Sequence, residues 1–269
     1  MSTKGIYTAV SGAVAQSQRL ETIANNIANA NTPGFKRDAQ IFKEYLTAHE
    51  QAPEVIEVPK IPASVESFYD MQGADKSYVD NDGTYTDFKA GAIKITGNPL
   101  DVSIEGNGFF EVLSPQGVRY TRAGSFTIGG EGQLVTKDGF PVLQPGAGGN
   151  PQGRMIRLNP GADVRITREG EIFQGVNPIG RLSVVSFSNK DALQKVGQSN
   201  YKLRETIPTT ITNSIDSVVQ QGTVESSNVN IINEMTDMIS ATRTFESLQK
   251  VIQAHDSIND KLVNQIPRY

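Results

Sequence analysis

The two ends of the chain carry the same sequence pattern, in which apolar or small residues are separated alternately by four and three positions. Near the start the pattern is formed by Ile6, Val10, Ala13, Ser17, Leu20, Ala24 and Ile27. Near the end it is formed by Ile231, Met235, Met238, Thr242 and Phe245, and continued by Ile252 and Val263. This spacing is typical of a coiled-coil seam. It predicts a helix over residues 3–30 and a second helix that begins after Asn230 and ends near Gln265.

An apolar seam at helical spacing is more often the core of one chain than a contact between chains. Two features favour a contact between chains here. Small residues such as Ala13, Ser17 and Thr242 permit close helix approach but bury little surface. The two helices are also far apart in sequence, so that pairing them within one chain requires closing a very long loop.

The middle of the chain, residues 91–205, shows a period of two and frequent glycine. Leu100, Val102 and Ile104 alternate with polar residues, and tight turns are expected at residues 114–117, 129–132 and 137–139. Short strands at this spacing are typical of an antiparallel sandwich or barrel. We therefore expect an α+β fold that is mainly β, with terminal helices paired as a coiled coil around a central antiparallel β domain.

This pattern divides the chain into three regions. Residues 1–46 and 206–269 are expected to form the terminal helical domain, with a short helical piece resuming after Phe35 and ending near Leu46. Residues 47–90 contain Pro53, Pro59 and Pro62 and are predicted to be an extended linker, because proline blocks helices and limits central strands. Residues 91–205 form the central β domain.

Charge and composition exclude several classes of function. The 269 residues include 25 basic and 29 acidic side chains, and this net charge of -4 argues against a nucleic-acid or anionic-membrane surface. Cysteine is absent, which excludes disulfides and thiolate sites. No stretch approaches the roughly 20 apolar residues of a membrane span, and no apolar signal core follows Met1. We expect no membrane insertion, and a cytosolic location or export without a cleaved signal peptide.

No catalytic, cofactor or metal site is expected. The two histidines, His49 and His255, have no metal-ligand neighbour at helical spacing, and no Gly-x-Ser-x-Gly elbow is present. Residues 80–83 suggest a calcium loop, but the EF-hand register places Tyr78 and Lys89 where acidic residues are needed. A plain turn is therefore expected at residues 80–83, and the chain is expected not to be an enzyme.

Several segments resemble the bacterial flagellar rod and hook protein family. Residues 24–36 read ANNIANANTPGFK and resemble the family's N-terminal signature, in which the motif residues here are Asn25, Asn26, Asn29, Pro33, Gly34 and Phe35. The family's core motifs are matched, in order, by NPLDV at 98–102, GNGFF at 106–110, YTRAGSF at 120–126 and GQLV at 132–135. The segment that opens the family's C-terminal helix is matched by ESSNVN at 225–230.

The resemblance implies a structural subunit of the flagellar basal-body rod, which crosses the periplasm and transmits torque. Its partners would be copies of itself and other rod proteins in a helical assembly, and the flagellar export apparatus would secrete it. Within the family, the last helix favours a proximal over a distal rod position, because Arg243-Thr244-Phe245-Glu246 stands where the distal pattern would have Arg-Ala-Tyr-Glu.

The axial seam would be carried by Ile6, Val10, Ala13, Leu20, Ile27, Ile231, Met235, Met238, Phe245 and Ile252. Two readings from other classes remain open at this point. A ligand-binding β module with helical oligomerisation ends would form a discrete, closed oligomer and be stabilised by its ligand. A hydrolase would lose activity when His49 or His255 is substituted.

Overall fold

The protein is represented by a computed structural model that describes residues 4–46, 77–146, 150–159, 161–197, 199–214 and 217–265. Helix α1 spans Lys4–Ala28 and helix α2 spans Ile231–Gln265. The strands are β1 (Asp38–Leu46), β2 (Ser77–Thr86), β3 (Ile93–Ile95), β4 (Val102–Glu105), β5 (Phe109–Ser114), β6 (Gly117–Thr121), β7 (Phe126–Ile128), β8 (Leu134–Thr136), β9 (Val164–Ile166), β10 (Glu171–Gln174), β11 (Asn177–Arg181), β12 (Val184–Phe187), β13 (Leu193–Lys195), β14 (Asn200–Leu203), β15 (Ile211–Asn213), β16 (Val218–Gln221) and β17 (Thr223–Glu225). Two short 3-10 helices occupy Pro151–Arg154 and Lys190–Ala192.

Both predicted helices are present, and the fold between them is mainly β. Helix α1 ends at Ala28, where asparagines become frequent, as expected for a residue type that is poor inside helices. Helix α2 begins directly after Asn230 and ends at Gln265, with Glu234 in its first turn where the helix dipole favours a negative charge. The predicted class, mainly β with a helix at each end, is confirmed.

The expected helical piece between Phe35 and Leu46 is wrong. Residues 38–46 form strand β1, which pairs with strand β2 in a two-stranded sheet. Strand β2 also contains residues 80–83, where a turn was expected. In both places a long-range pairing partner overrides the local preference, and such pairing is invisible in a short window of sequence. Most of the predicted linker, residues 47–76, lies outside the described residues.

A six-stranded antiparallel sheet, in the order β13-β14-β6-β5-β12-β15, is the largest sheet of the described chain. Its centre is the β5–β6 hairpin, in which Ser114 pairs with Gly117 across a two-residue turn. Gly117 has a φ of 115°, which a residue with a Cβ rarely adopts, and this explains the glycine in the predicted turn. The predicted turn at residues 129–132 lies between β7 and β8. The predicted turn at residues 137–139 directly follows β8.

Strand β5 has apolar clusters on both of its faces. Phe110 and Val112 belong to the larger cluster, together with residues of strands β4, β7, β8 and β10. Phe109 belongs to a second, aromatic cluster with Tyr120, Phe187 and Tyr201. Successive strand side chains point to opposite faces, so a strand covered on both faces reads as a continuous apolar run. This is why the sequence around residues 109–113 does not alternate.

The chain divides into two compact units by its internal packing. The β unit consists of the described residues of 26–38 and 86–231. The helix unit consists of the described residues of 1–25, 39–85 and 232–269, and contains most of both helices and of the β1–β2 pair. The helix-exit residues 26–38, which carry much of the family-like signature, therefore belong to the β unit.

Candidate assembly site: the junction and the helix seam

Two sets of residues are candidates for a functional role. The first, which we call the junction, is the place in the β unit where the exit segment (residues 26–38) meets the return segment (residues 223–230). The second is the helix seam, formed by the facing sides of α1 and α2 in the helix unit. The sequence motif residues belong mainly to the junction, and the predicted assembly residues belong mainly to the seam.

The exit segment is closed into a loop by Asn26. Its side-chain nitrogen donates to the carbonyl oxygen of Asp38 at 2.8 Å, and its side-chain oxygen accepts from the Asp38 backbone nitrogen at 3.0 Å. Only a side-chain amide has both a donor and an acceptor at this spacing. Asn29 acts within the same loop, where its side-chain oxygen accepts from the Thr32 hydroxyl. Asn25, in contrast, is exposed.

Gly34 cannot be replaced without moving the backbone. Its φ is +69°, and a Cβ added there would lie 2.3 Å from the backbone nitrogen of Ala123. Its own backbone nitrogen donates to the carbonyl oxygen of Glu225 at 2.8 Å. Pro33 sets the turn before it, and Phe35 behind it is buried. The Pro-Gly-Phe part of the signature is therefore a backbone-to-backbone docking element.

A buried ion triad lies at the centre of the junction. The Lys36 ammonium is 2.5 Å from Oε1 of Glu225, and the Arg122 guanidinium is 3.3 Å from Oε2 of the same carboxylate. All three side chains are at most 3 % exposed. Both cations also donate to backbone oxygens, since Lys36 donates to the carbonyl oxygen of Lys89, and Arg122 donates to those of Ile104 and Gly106. Such a triad is costly to break, because each partner would be left charged and buried.

A second ion pair lies beside the triad. The Lys195 ammonium is 2.7 Å from Oδ2 of Asp38 and 3.6 Å from the centroid of the Phe35 ring. It also donates to the carbonyl oxygen of Lys36 at 2.9 Å. The other carboxylate oxygen of Asp38 accepts from the Thr86 hydroxyl. Lys195 therefore holds the last residues of the exit segment through an ion pair, a backbone bond and a cation–π contact.

The return segment is tied to the exit segment by Asn228. Its side-chain oxygen accepts from the backbone nitrogen of Arg37 at 2.7 Å, and its side-chain nitrogen donates to the carbonyl oxygens of Asp87 and Lys89. The chain that leaves α1 and the chain that enters α2 are thus joined by hydrogen bonds inside one packed unit.

Burial dominates the electrostatics of the junction. It lowers the pKa of Lys36 and of Arg122, and Glu225 opposes this effect in both cases by favouring the charged form. Burial also lowers the pKa of Lys195, against the opposing effect of Asp38. The carboxylates are therefore what permits these cations to stay charged inside the fold.

Helices α1 and α2 lie side by side in the helix unit. Two close approaches show that they run antiparallel. A Cβ on Gly5 would lie 3.5 Å from the His255 imidazole, and one on Gly12 would lie 3.4 Å from the Leu248 side chain. Glycine at these positions permits close helix approach. His255 on α2 therefore faces Gly5 on α1. His49 lies outside the described residues.

A set of buried and half-buried residues of α2 repeats at four and three positions, namely Glu234, Met238, Ala241, Phe245, Leu248, Ile252 and His255, and Asp237 and Thr242 beside them are also half-buried. In α1, Ala9, Ala13, Ala15 and Ile23 are buried. Among the predicted seam residues, Ala13 is buried. Six others are half-buried, namely Ile6, Leu20, Ile27, Met238, Phe245 and Ile252. Val10, Ile231 and Met235 are exposed in the single chain.

Both helices also carry exposed apolar residues away from the seam. On α1 these are Tyr7, Val10 and Val14, of which Tyr7 is 62 % exposed. On α2 they include Ile232, which is 74 % exposed, Met235 and Ile239. Within each set the spacing of three, four or seven places the side chains on one helix face. A contiguous exposed apolar stripe is typical of a surface that another protein covers.

The described residues contain no group of three or more His, Cys, Asp or Glu side chains arranged to hold a metal ion. The helices of the described chain also fall short of the length and apolarity needed to cross a membrane. The three charged side chains of the triad are paired with one another and buried. The arrangement supports anchoring of chain segments.

Sequence reasoning found the junction segments but not their chemistry. Lys36, Arg122, Glu225 and Asn228 all lie inside the recognised motifs, yet nothing in the separate motifs shows that their side chains meet. The available signal was an isolated charged residue in an otherwise apolar or small-residue strand, such as Glu225 after Thr223-Val224. Lys195 and Asp38 lie outside the motifs and gave no signal.

Comparison with known proteins agrees with this geometry. Residues 6–36 match the family described as flagella basal body rod protein, residues 103–174 match the flagellar hook protein FlgE/F/G D1 domain, and residues 220–266 match the flagellar basal body rod FlgEFG protein C-terminal family. The chain is 31 % identical over 263 residues to the basal-body rod protein FlgF of Rhizobium meliloti (strain 1021), covering 97 % of each. It is 30 % identical over 282 residues to the basal-body rod protein FlgG of Bacillus subtilis (strain 168), covering 97 % of this chain and 98 % of that protein.

Proposed function

This chain belongs to the flagellar basal-body rod protein family, and from that premise we propose that it builds the proximal part of the rod, as an FlgF-type subunit that polymerises through its terminal helices. Its role as a structural rod subunit follows from its similarity to FlgF and FlgG along nearly its whole length. The observation that carries the polymerisation proposal is the exposed apolar stripe on each helix, beside a seam already used within the chain.

The terminal helices form a coiled coil in the assembled rod. The four-and-three spacing of the buried and half-buried α2 set and the close approach at Gly5 and Gly12 support this arrangement. The exposed stripes, Tyr7-Val10-Val14 and Ile232-Met235-Ile239, then pack against other subunits. Different surfaces meet in such heterologous contacts, and these build an open helical filament when the rotation between neighbours does not close. The predicted seam residues Val10, Ile231 and Met235 would be buried only at this stage.

The junction keeps the two chain segments that lead to the helices fixed in the β unit. A torque-transmitting shaft needs such a connection, because force applied to one part of a subunit must not unravel its neighbouring segments. Three buried charged groups and the Asn228 hydrogen bonds supply it. This explains why the signature continues beyond the helix into Pro33, Gly34 and Phe35.

We further propose the domain organisation of the assembled subunit. The terminal segments, residues 1–46 and 206–269, supply an inner helical layer through α1 and α2, residues 91–205 supply most of an outer antiparallel β domain of sandwich type, and residues 47–90 lie between the first segment and the β domain in the chain. The six-stranded sheet with an apolar cluster on each face supports the outer domain. In the cell the subunit is exported by the flagellar secretion apparatus, is not inserted in a membrane, and lies in the periplasm-spanning rod.

The proximal position is supported by the sequence of α2. Met235-Thr236-Asp237-Met238-Ile239 and Arg243-Thr244-Phe245-Glu246 resemble FlgF more than FlgG. The alternative is that the chain is a distal rod protein of the FlgG type. Its identity to the FlgG relative, 30 %, is about the same as its identity to the FlgF relative, 31 %.

Mass spectrometry of purified basal bodies, combined with an antibody label on this chain, tests the proposal. We expect the chain in the basal body and the label at the membrane-proximal end of the rod. Label along the distal rod would assign the chain to the FlgG type. Absence from basal bodies that contain the other rod proteins would contradict the proposal as a whole.

A further inference from the structure

Strand β3 has one edge without a backbone partner in the described part of the chain. On its other edge it pairs with β17, where the Thr96 backbone nitrogen donates to the carbonyl oxygen of Gly222 at 2.8 Å. In an antiparallel pair, residues that exchange such bonds alternate with residues whose N–H and C=O groups point away from the partner. The backbone groups of Ile93 and Ile95 therefore point to the free edge.

The side chains of β3 are exposed as well. All three residues of the strand are exposed, and Ile95 reaches 81 %. Ile93 and Ile95 lie on one face, because successive side chains of a strand alternate between faces. A strand that shows apolar side chains beside unpaired backbone groups is a template for pairing with another strand.

Strand β15 has the same two properties. It is an edge strand of the six-stranded sheet and pairs with β12, where the Ser214 nitrogen donates to the carbonyl oxygen of Val184 at 3.0 Å. By the same alternation, the backbone groups of Ile211 and Asn213 point away from the sheet. All three residues of β15 are exposed, and Ile211 is 46 % exposed.

Another edge strand of the β unit is built differently. Strand β11 contains Pro178, which has no N–H to donate, and its register with β10 is irregular between Ile172 and Phe173. Proline and irregular pairing are common means of preventing an edge from pairing with another chain. Strands β3 and β15, which are described in full, contain no proline and pair in regular register.

We propose that β3 of one subunit pairs with β15 of a second copy of the chain, a contact that rests on the proposed polymerisation. In the antiparallel register that places Ile95 opposite Ile211, Lys94 lies opposite the neutral Thr212. Two β3 strands joined through the same backbone groups would place Lys94 opposite Lys94, and like charges directly opposite are destabilising. The contact therefore joins two different surfaces, which extends to an open array when the rotation does not close.

Disulfide cross-linking in assembled rods tests the pairing, because the chain has no cysteine of its own. Lys94 and Thr212 would form a pair without backbone bonds, with Cα atoms about 4.5 Å apart, which a disulfide can bridge. Basal bodies that carry Lys94→Cys/Thr212→Cys are oxidised and separated on a non-reducing gel with an antibody against the chain. We expect oligomers larger than a dimer, because each subunit then cross-links to two neighbours.

Several control variants make this result specific. Lys94→Cys/Val176→Cys moves one cysteine to a hairpin tip, where Val176 is 90 % exposed, and should give monomers. Dimers from Thr212→Cys alone would show that β15 pairs with itself, and would overturn the proposal. Rods that contain the double variant without cross-linked oligomers would also overturn it. Absence of the unchanged chain from the rods would instead contradict the proposed function.

A backbone substitution provides an independent test. Ile95→Pro removes an N–H that points to the free edge and leaves the bonds between β3 and β17 in place. We expect an unchanged urea midpoint for the purified chain and loss of motility in a complemented deletion strain. Ile95→Thr keeps the N–H and should restore motility. Motility with Ile95→Pro would overturn the strand pairing, and if proline shifts the urea midpoint, the cross-link decides.

Discussion

The β unit and the helix unit differ in how much of their interacting surface is buried within one chain. In the β unit, the ion triad of Lys36, Arg122 and Glu225 is almost wholly buried, and its charges are paired within one chain. In the helix unit, large apolar side chains such as Tyr7, Ile232 and Ile239 stay exposed along helix faces. The ion triad is formed within the monomer, whereas the helix unit leaves large apolar side chains exposed in the monomer.

This difference indicates how the subunit separates folding from assembly. A β unit whose core and ion triad are formed within one chain can fold without partners. If neighbouring subunits cover the exposed stripes, as we propose, the helices bury the rest of their apolar surface on assembly, and the cost of ordering them lowers the net affinity between subunits.

The largest effect is expected from Glu225→Gln. The substitution removes the carboxylate that neutralises Lys36 and Arg122 and leaves two buried cations without an anion. We expect a loss of about 3–5 kcal/mol in the free energy of unfolding, measured by urea denaturation followed by circular dichroism. The exposed Glu205→Gln should change it by less than about 0.5 kcal/mol. Equal stability of the two variants would show that the buried triad does not stabilise the β unit.

A smaller effect is expected from Gly12→Leu in the helix unit. A Cβ at this position lies 3.4 Å from Leu248, so a longer side chain forces α1 and α2 apart. We expect a loss of about 1–3 kcal/mol, the usual range for overpacking, measured from the helical signal during thermal unfolding. Gly12→Ala is the matched control, because its single methyl group fits and alanine favours helix. If leucine were tolerated as well as alanine, the helices would not be in close contact in solution.

The pH dependence of Tyr120 sharpens the description of the β unit. Burial, with a smaller contribution from Glu111, raises the pKa of its hydroxyl to about 12. An unfolded tyrosine ionises near 10, so between these values the folded chain holds a proton that the unfolded chain has released. Stability from this group is therefore complete below pH 10 and is lost as the pH rises toward 12.

The comparison of wild type with Tyr120→Phe isolates this effect. Unfolding free energies of both chains are measured from pH 9 to 11. We expect the wild type to lose stability relative to the variant as the pH passes 10. A difference that stays constant over this range would mean that Tyr120 is ordinarily solvated.

The smallest effect on monomer stability, and a large effect on assembly, is expected from Ile239→Asp. Ile239 is 56 % exposed, so its substitution should change the free energy of unfolding by less than about 0.5 kcal/mol. A charge on a stripe that neighbouring subunits cover should nevertheless abolish rod formation, scored as loss of motility in a complemented deletion strain. Ser247→Asp, exposed on the same helix but off the stripe, is the control and should restore motility. Motility with Ile239→Asp would contradict the assembly surface.

The sequence predicted the helices and the central strands because their patterns are local. The seam spacing in α2 and the alternation at Val102 and Ile104 each depend on residues a few positions apart. Strand β1 was missed because its partner, β2, lies more than 30 positions away, and pairing decides its structure.

The junction shows the same limit for the candidate site. Gly34 could be recognised as a turn residue, but the reason for it, close contact with Ala123, joins residues distant in sequence. Lys36 and Glu225 are 189 positions apart, and no sequence period connects them. The exposure of Val10, Ile231 and Met235 could not be predicted either, because spacing marks an apolar face without saying whether the same chain covers it.

Amide hydrogen exchange of the full-length, unassembled chain tests the contrast between the two units most directly. The amides of β5 and β6 lie in the centre of the six-stranded sheet, and we expect them to exchange only on global unfolding. The amides of α1 should exchange orders of magnitude faster in the free chain and become protected in isolated rods. Protection of α1 in the free chain as strong as that of β5 would show that the helix unit is already complete, and would contradict ordering on assembly.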